Sequence, residues 1–187
     1  MASLLSHPAV ALGLGAAFQR EGDGRRFWIA GTLCTMIPDL DVAAFSFGIP
    51  YEAPLGHRGL THSLLFAALL ALALARWAFE EDRLRIGLYL FLATASHGLL
   101  DAMTTGGEGV GFLLPFVDHR TFLPFRPIRV SPIGAGAFLS ARGLRVLQSE
   151  LVWVWTPCLA LAAAGFGWRR AWPRLLRVPP PQEGARP

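Results

Sequence analysis

Long apolar stretches alternate with short polar breaks along most of the chain. The apolar stretches cover residues 8–19, 27–47, 61–79, 86–105 and 151–168. The stretch 61–79 is nearly uncharged and is close to the ~20 residues that a spanning helix needs. The pattern predicts an all-α, polytopic membrane bundle of about four or five transmembrane helices. The count is a range because twelve apolar residues in the first stretch span only ~18 Å as a helix.

The region after the fourth apolar stretch has a different pattern. Four prolines between residues 112 and 135 prevent a long helix there. The segment "AFLSARGLRVLQSELV" (137–152) has helical periodicity with arginines on one side, which is typical of an interfacial helix. We therefore predict a single membrane-embedded domain over residues 1–178 and a disordered tail over 179–187.

Composition supports a membrane location. Charged residues make up only 16% of the chain, whereas soluble domains carry roughly 25%. The 17 basic residues are all arginine, and many lie around the ends of the odd-numbered apolar stretches. Positive residues favour the cytoplasmic side, so these arginines predict a multi-pass protein of the cell inner (plasma) membrane and do not require a nucleic-acid partner. They are Arg20, Arg25, Arg26, Arg76, Arg83, Arg85, Arg169, Arg170, Arg174 and Arg177.

Seven of the histidines and aspartates fall at the opposite ends of the same stretches. If the chain crosses five times, all of them lie toward the non-cytoplasmic face. The residues that meet this description are His7, Asp39, Asp41, His57, His62, His97 and Asp101.

Local spacing indicates how these side chains are presented. His97 and Asp101 are four apart, so they project from one face of a helix. Asp39 and Asp41 would diverge on a regular helix; either a break at Pro38 turns both inward or only one of them is a ligand.

The segment "GHRGLTHS" (56–63) stands at the start of the third stretch. Thr61 is a predicted N-cap, which places His62 in the first helical turn. The glycines around His57 and Arg58 allow the backbone to fold both residues back over that turn.

A bound divalent cation explains why these polar groups are tolerated. An aspartate at a helix centre costs ~2.5–3.5 kcal/mol on insertion scales, and one ion compensates several such groups. Histidine and aspartate together suit zinc, with manganese or iron as alternatives. We predict one or two ions held by the seven histidines and aspartates, with His57 as a ligand or catalytic group and Arg58 facing a substrate phosphate.

Three segments resemble a known family. "IPDLD" (37–41), "GHRGLTHSL" (56–64) and "SHGLLDAMTTGG" (96–107) are similar to the signature segments of the YdjM-like family of membrane-bound predicted metal-dependent hydrolases. More remotely, His97 and Asp101 resemble the HxxxD of the zinc-dependent phospholipase C and single-strand nuclease superfamily. The resemblance implies a multi-pass membrane protein with hydrolase activity.

The sequence therefore predicts a membrane-bound metal-dependent hydrolase. It would cleave a phosphate ester of a lipid or lipid-linked substrate by metal-activated water, with membrane lipids as its partners. Two alternatives stay open at this point: a metal or ion transporter, because intramembrane histidines and aspartates also mark ion routes, and a non-catalytic membrane scaffold or regulatory protein.

Overall fold

The described chain is helical throughout its regular structure. The structure is a computed structural model that describes residues 1–132 and 134–175. Its α-helices are α1 (His7–Phe18), α2 (Arg25–Met36), α3 (Leu64–Ala78), α4 (Arg83–Ala102), the single-turn α5 (Ala135–Phe138), α6 (Ala141–Glu150) and α7 (Thr156–Leu175). Pairing of extended backbone in the described residues is limited to two isolated bridges, Thr104–Ile128 and Val110–Thr121. The predicted all-α class is confirmed.

The second apolar stretch changes its winding at the expected place. Regular α2 ends at Met36, and a 3₁₀ helix continues from Ile37 to Phe47. Pro38 has no N–H to donate, and its ring clashes with the carbonyl four residues earlier, so the α-helical pattern cannot continue through it. The tighter winding changes the directions of the two aspartates that follow.

The start of the third stretch differs from the prediction. Ser63, and not Thr61, caps α3, because its Oγ accepts a hydrogen bond of 3.1 Å from the backbone N–H of Phe66. Leu60–His62 form a separate 3₁₀ turn before the helix. The Thr61 hydroxyl instead donates a hydrogen bond to Oδ2 of Asp41 at 2.6 Å. It therefore does not cap α3.

Helix α1 lies at the centre of the bundle and packs against α7, α2 and α4, while α3 packs on α4. The interior between α2, α3 and α4 is apolar and aromatic, with Phe27 stacked on Tyr89 at a centroid distance of 4.3 Å. A Cβ on Gly31 would lie 1.9 Å from the Tyr89 hydroxyl oxygen, so this close crossing of α2 and α4 requires glycine.

Ion pairs join the helical junctions at one end of the bundle. Arg85, at the start of α4, binds both carboxylate oxygens of Asp23 at 2.7 and 2.8 Å, and Arg20 reaches Asp82 at 2.8 Å. The hydrogen bonds from Arg85 lower the pKa of Asp23 below its ordinary value of 3.8. These contacts fix the loop after α1 against the start of α4, at the end that carries the arginine clusters.

Within residues 1–132 and 134–175, two helical segments are long and apolar enough to cross a membrane by length and composition, namely Arg25–Phe47 and Ala141–Arg170. Helices α1 and α3 are apolar but shorter. The count of four or five spanning helices therefore stays a prediction.

The proposed interfacial segment contains α6, where Arg142 and Arg145 are exposed while Gly143 and Val146 are buried. The predicted tail, 179–187, lies outside the described residues.

Candidate metal centre

Four ionisable side chains from three helical segments meet at the end of the bundle opposite the Arg20–Asp82 and Arg85–Asp23 ion pairs. One ligand atom from each of Asp39, His62, His97 and Asp101 lies within 4.8 Å of all the others. The closest contact joins His97 Nε2 and Asp39 Oδ1 at 3.3 Å. His62 Nε2 lies 3.6 Å from Asp101 Oδ2 and 4.0 Å from Asp39 Oδ1. All four side chains are buried.

Most of the converging atoms have no hydrogen-bond partner among the described residues. These atoms are both carboxylate oxygens of Asp39 and Nε2 of His62 and of His97, whereas Oδ2 of Asp101 forms an ion pair with Arg58, whose Nε lies 2.9 Å away. Buried polar atoms are nearly always paired, and an unpaired one costs several kcal/mol. A divalent cation would satisfy all four residues at once. Two imidazole nitrogens with two carboxylates suit zinc, manganese or iron, so the residues present fit the predicted ion.

The backbone of α2 orients His97. Its Nδ1 lies 2.7 Å from the carbonyl oxygen of Thr35, which can only accept a hydrogen bond. The proton is therefore assigned to Nδ1, and Nε2 presents a lone pair to the cluster.

Asp41 contacts two histidines, His57 and His62, and is not itself a member of the four-residue cluster. His57 Nδ1 lies 2.6 Å from its Oδ1, and His62 Nδ1 lies 3.1 Å from its Oδ2. Oδ2 also accepts hydrogen bonds from the Arg58 backbone N–H and the Thr61 hydroxyl. Asp41, His57 and His62 have the spacing of a second ligand set, but these hydrogen bonds already occupy both carboxylate oxygens. We assign Asp41 to the support of the ligands, as carboxylates commonly do for metal-binding histidines.

Arg58 contacts the four-residue cluster directly. Its side chain is fully buried, and its Nε lies 2.9 Å from Asp101 Oδ2. The terminal nitrogens donate to the Gly106 carbonyl and the Thr104 hydroxyl at 3.0 and 3.1 Å. The backbone at Arg58 has a φ of 63°, which is rare for a residue other than glycine. The guanidinium is therefore built into the cluster, where it balances the charge of Asp101, and its role toward a substrate phosphate stays a prediction.

His7, the first residue of α1, covers one side of the cluster. Its ring stacks on that of His97 at a centroid distance of 3.7 Å, and its Nε2 lies 3.8 Å from Asp101 Oδ1. Both ring nitrogens are buried without a hydrogen-bond partner among the described residues. His7 thus lies beside the four-residue set and is available as a further ligand.

Comparison with known proteins gives the family. The family model described as "YdjM inner membrane protein" matches residues 1–173. The chain belongs to the YdjM family. A curated relative, the inner membrane protein YbcI of Escherichia coli (strain K12), is 40% identical over 173 residues, which cover 91% of this chain and 99% of that protein. No solved structure matches the chain. The predicted family and the inner-membrane location are confirmed.

Sequence reasoning missed a buried glutamate in this YdjM-family chain. Glu150, the last residue of α6, is fully buried and accepts hydrogen bonds from the Ser3 backbone N–H, the Ser3 hydroxyl and the Ser6 hydroxyl. It thereby holds the segment 1–6 against the bundle, where the Ala2 backbone N–H donates to Asp101 Oδ1 at 2.7 Å. An acid directly before the apolar run 151–155 was the available signal, because acids near membrane segments are costly unless they have partners.

The loop that contains Arg120 supports the segment before α3, and its described residues are not among the members of the clusters that could hold an ion. Arg120 donates to the carbonyls of His57, Tyr51 and Ala53 at 2.8 to 3.0 Å, which fixes the loop before α3. His119 is exposed on the same loop.

Proposed function

We propose that this protein is a membrane-bound metal-dependent hydrolase that cleaves a phosphate ester of a lipid or lipid-linked substrate. The observation that carries the proposal is the convergence of buried ligand atoms from Asp39, His62, His97 and Asp101, of which those of Asp39, His62 and His97 have no hydrogen-bond partner among the described residues. Such an arrangement is costly in a membrane protein unless a cation is bound.

The four residues would hold one divalent ion, with zinc favoured and manganese or iron as alternatives. When bound, such an ion polarises a phosphoryl oxygen and lowers the pKa of a coordinated water. The protein contributes the ligand geometry: the Thr35 carbonyl fixes His97, Asp41 fixes His62, and Arg58 balances Asp101.

His57 and Asp41 supply proton transfer in this proposal. Asp41 accepts a hydrogen bond from the Nδ1–H of His57. The unprotonated Nε2 of His57 can then accept a proton from the attacking water. A P–O bond forms from that water, the ester P–O bond breaks, and His57 Nε2 returns the proton to the departing oxygen. The centroids of the His57 and His62 rings are 5.7 Å apart, which places this base beside a proposed ligand.

Lipid substrates are favoured because the cluster lies among helices of an inner membrane protein. Large apolar side chains of the 3₁₀ helix that carries Asp39 are exposed, including Leu40 at 71% and Phe47 at 80%. These side chains would contact lipid, and a phosphate at the membrane boundary would lie beside the cluster.

The transporter alternative is less well supported. An ion route needs polar groups at several depths, but the interior between α2, α3 and α4 is packed by Phe27, Ile86 and Leu90. A scaffold role leaves the unpaired ligand atoms without an explanation.

Purified protein tests the proposal through metal content and turnover. We expect about one transition metal ion per chain and phosphate release from phospholipid or polyprenyl phosphate substrates. His97→Ala should lose both, whereas His57→Gln should keep the metal and lose turnover. Metal flux into proteoliposomes without hydrolysis would favour the transporter, and full metal content in His97→Ala would contradict the site.

A further inference from the structure

An apolar cavity lies against the cluster. It has a volume of about 640 Å³ and is bounded by the segment 1–5, the residues around the start of the 3₁₀ helix, and Pro132, Gly134 and Leu139. Pockets that bind small ligands span about 300–1,000 Å³, so the cavity is large enough for a substantial part of a lipid.

Asp39 connects this cavity to the proposed metal centre. Among the four clustered residues, Asp39 alone lines the cavity. The other cavity walls are mainly apolar side chains, such as Leu4, Leu40, Val42 and Phe138. A molecule that fills the cavity would therefore have one end at a metal ligand and the rest in a hydrocarbon-like environment.

The rim of the cavity is apolar and open. Leu5, Leu40 and Leu139 are exposed by 57%, 71% and 84%. In a membrane, exposed apolar residues of this kind face lipid chains, whereas an opening toward water would favour polar rim residues. A lipid chain could thus enter from the bilayer without passing through water.

We propose that this cavity binds one hydrocarbon chain of the lipid substrate and holds its phosphate ester against the metal centre. This inference rests on the proposed function for the identity of the reacting group. The substrate class is therefore a phosphate ester with a long hydrocarbon chain, rather than a water-soluble phosphate. Acyl and polyprenyl chains share this chemistry.

Photo-crosslinking in nanodiscs tests chain binding without relying on turnover. The nanodiscs contain phosphatidylethanolamine and phosphatidylglycerol, with a small fraction of phosphatidylglycerol carrying a diazirine near the end of one acyl chain. A second preparation carries a diazirine polyprenyl phosphate instead. After illumination, mass spectrometry locates the labelled residues. We expect label concentrated on segments 1–5, 36–42 and 131–139 with at least one probe, and the better-labelled probe identifies the chain type.

Matched variants separate cavity binding from general contact with lipid. Leu139→Trp and Val42→Trp, at two walls of the cavity, should each reduce this label about tenfold, equivalent to a loss of about 1.4 kcal/mol of binding free energy. Leu113→Trp alters an exposed leucine that does not line the cavity, and it should leave the label unchanged. Wild-type metal content in each variant excludes a general folding defect.

Label spread evenly over exposed positions such as Leu72 of α3 and Leu84 of α4, or label insensitive to both cavity variants, would overturn this inference. The hydrolase proposal would survive that result if metal-dependent turnover persists. Conversely, cavity label that responds to the variants without any turnover would support chain binding and contradict the hydrolase.

Discussion

Removal of the Glu150 carboxylate should release the segment 1–6 from the bundle. Glu150→Ala deletes the acceptor of three hydrogen bonds, from the Ser3 N–H, the Ser3 hydroxyl and the Ser6 hydroxyl. Each hydrogen bond contributes about 1–1.5 kcal/mol net, and the site is fully buried. We therefore expect local opening of this segment to become easier by about 3–4 kcal/mol.

Hydrogen exchange in nanodiscs measures this opening directly. A change of 3–4 kcal/mol corresponds to a loss of protection of about 100- to 1,000-fold for the Ser3 amide. Glu150→Gln keeps one acceptor oxygen and should lose less protection. Gln148→Ala alters an exposed residue of the same helix and is the control.

The proposed metal centre should respond to the same change, because segment 1–6 leads into His7 and carries the Ala2 N–H that binds Asp101. We expect weaker metal retention in Glu150→Ala than in Gln148→Ala. Unchanged protection of the Ser3 amide in Glu150→Ala would refute the role given to this glutamate.

Three further changes test other parts of the account. Asp41→Asn should weaken metal binding about 10- to 100-fold without removing a ligand, as measured by competition with a chelator; a complete loss equal to that of a ligand variant would show direct coordination. Gly31→Ala should destabilise the bundle by about 1–3 kcal/mol through overlap with the Tyr89 hydroxyl, and Tyr89→Phe in the same chain should restore part of the thermal midpoint, whereas no rescue would argue against this contact. The lowered pKa of Asp23 means that its pairing with Arg85 stabilises the fold above pH about 4 and that this stabilisation, about 1 kcal/mol or less, is lost as the pH falls further. The thermal midpoint of the native protein should therefore drop more between pH 5 and pH 3 than that of Asp23→Asn. Equal drops in the two proteins would contradict the pairing.

Much of the architecture follows from the sequence because successive membrane-type helices alternate in direction. That alternation places His7, Asp39, His62 and His97 at one end of the bundle, and the spacing of His97 and Asp101 puts both on one face of α4. The break at Pro38 was also predictable, since proline cannot continue a regular helix.

Side-chain roles could not be separated in the same way. The distinction between Asp39 and Asp41 depends on the 3₁₀ winding after Pro38, which turns one carboxylate toward the cluster and the other toward His57. Arg58 folds inward through a backbone conformation that is rare outside glycine. Glu150 contacts serines about 145 residues earlier in the chain, and no local pattern encodes that pairing.

Anomalous diffraction at the zinc absorption edge tests the central claim most directly. Crystals of the protein grown with zinc should show one strong peak about 2.0–2.2 Å from Nε2 of His62, Nε2 of His97 and oxygens of Asp39 and Asp101. A peak elsewhere, or the absence of any peak together with unaltered behaviour of His97→Ala, would contradict the metal centre and the hydrolytic function proposed from it.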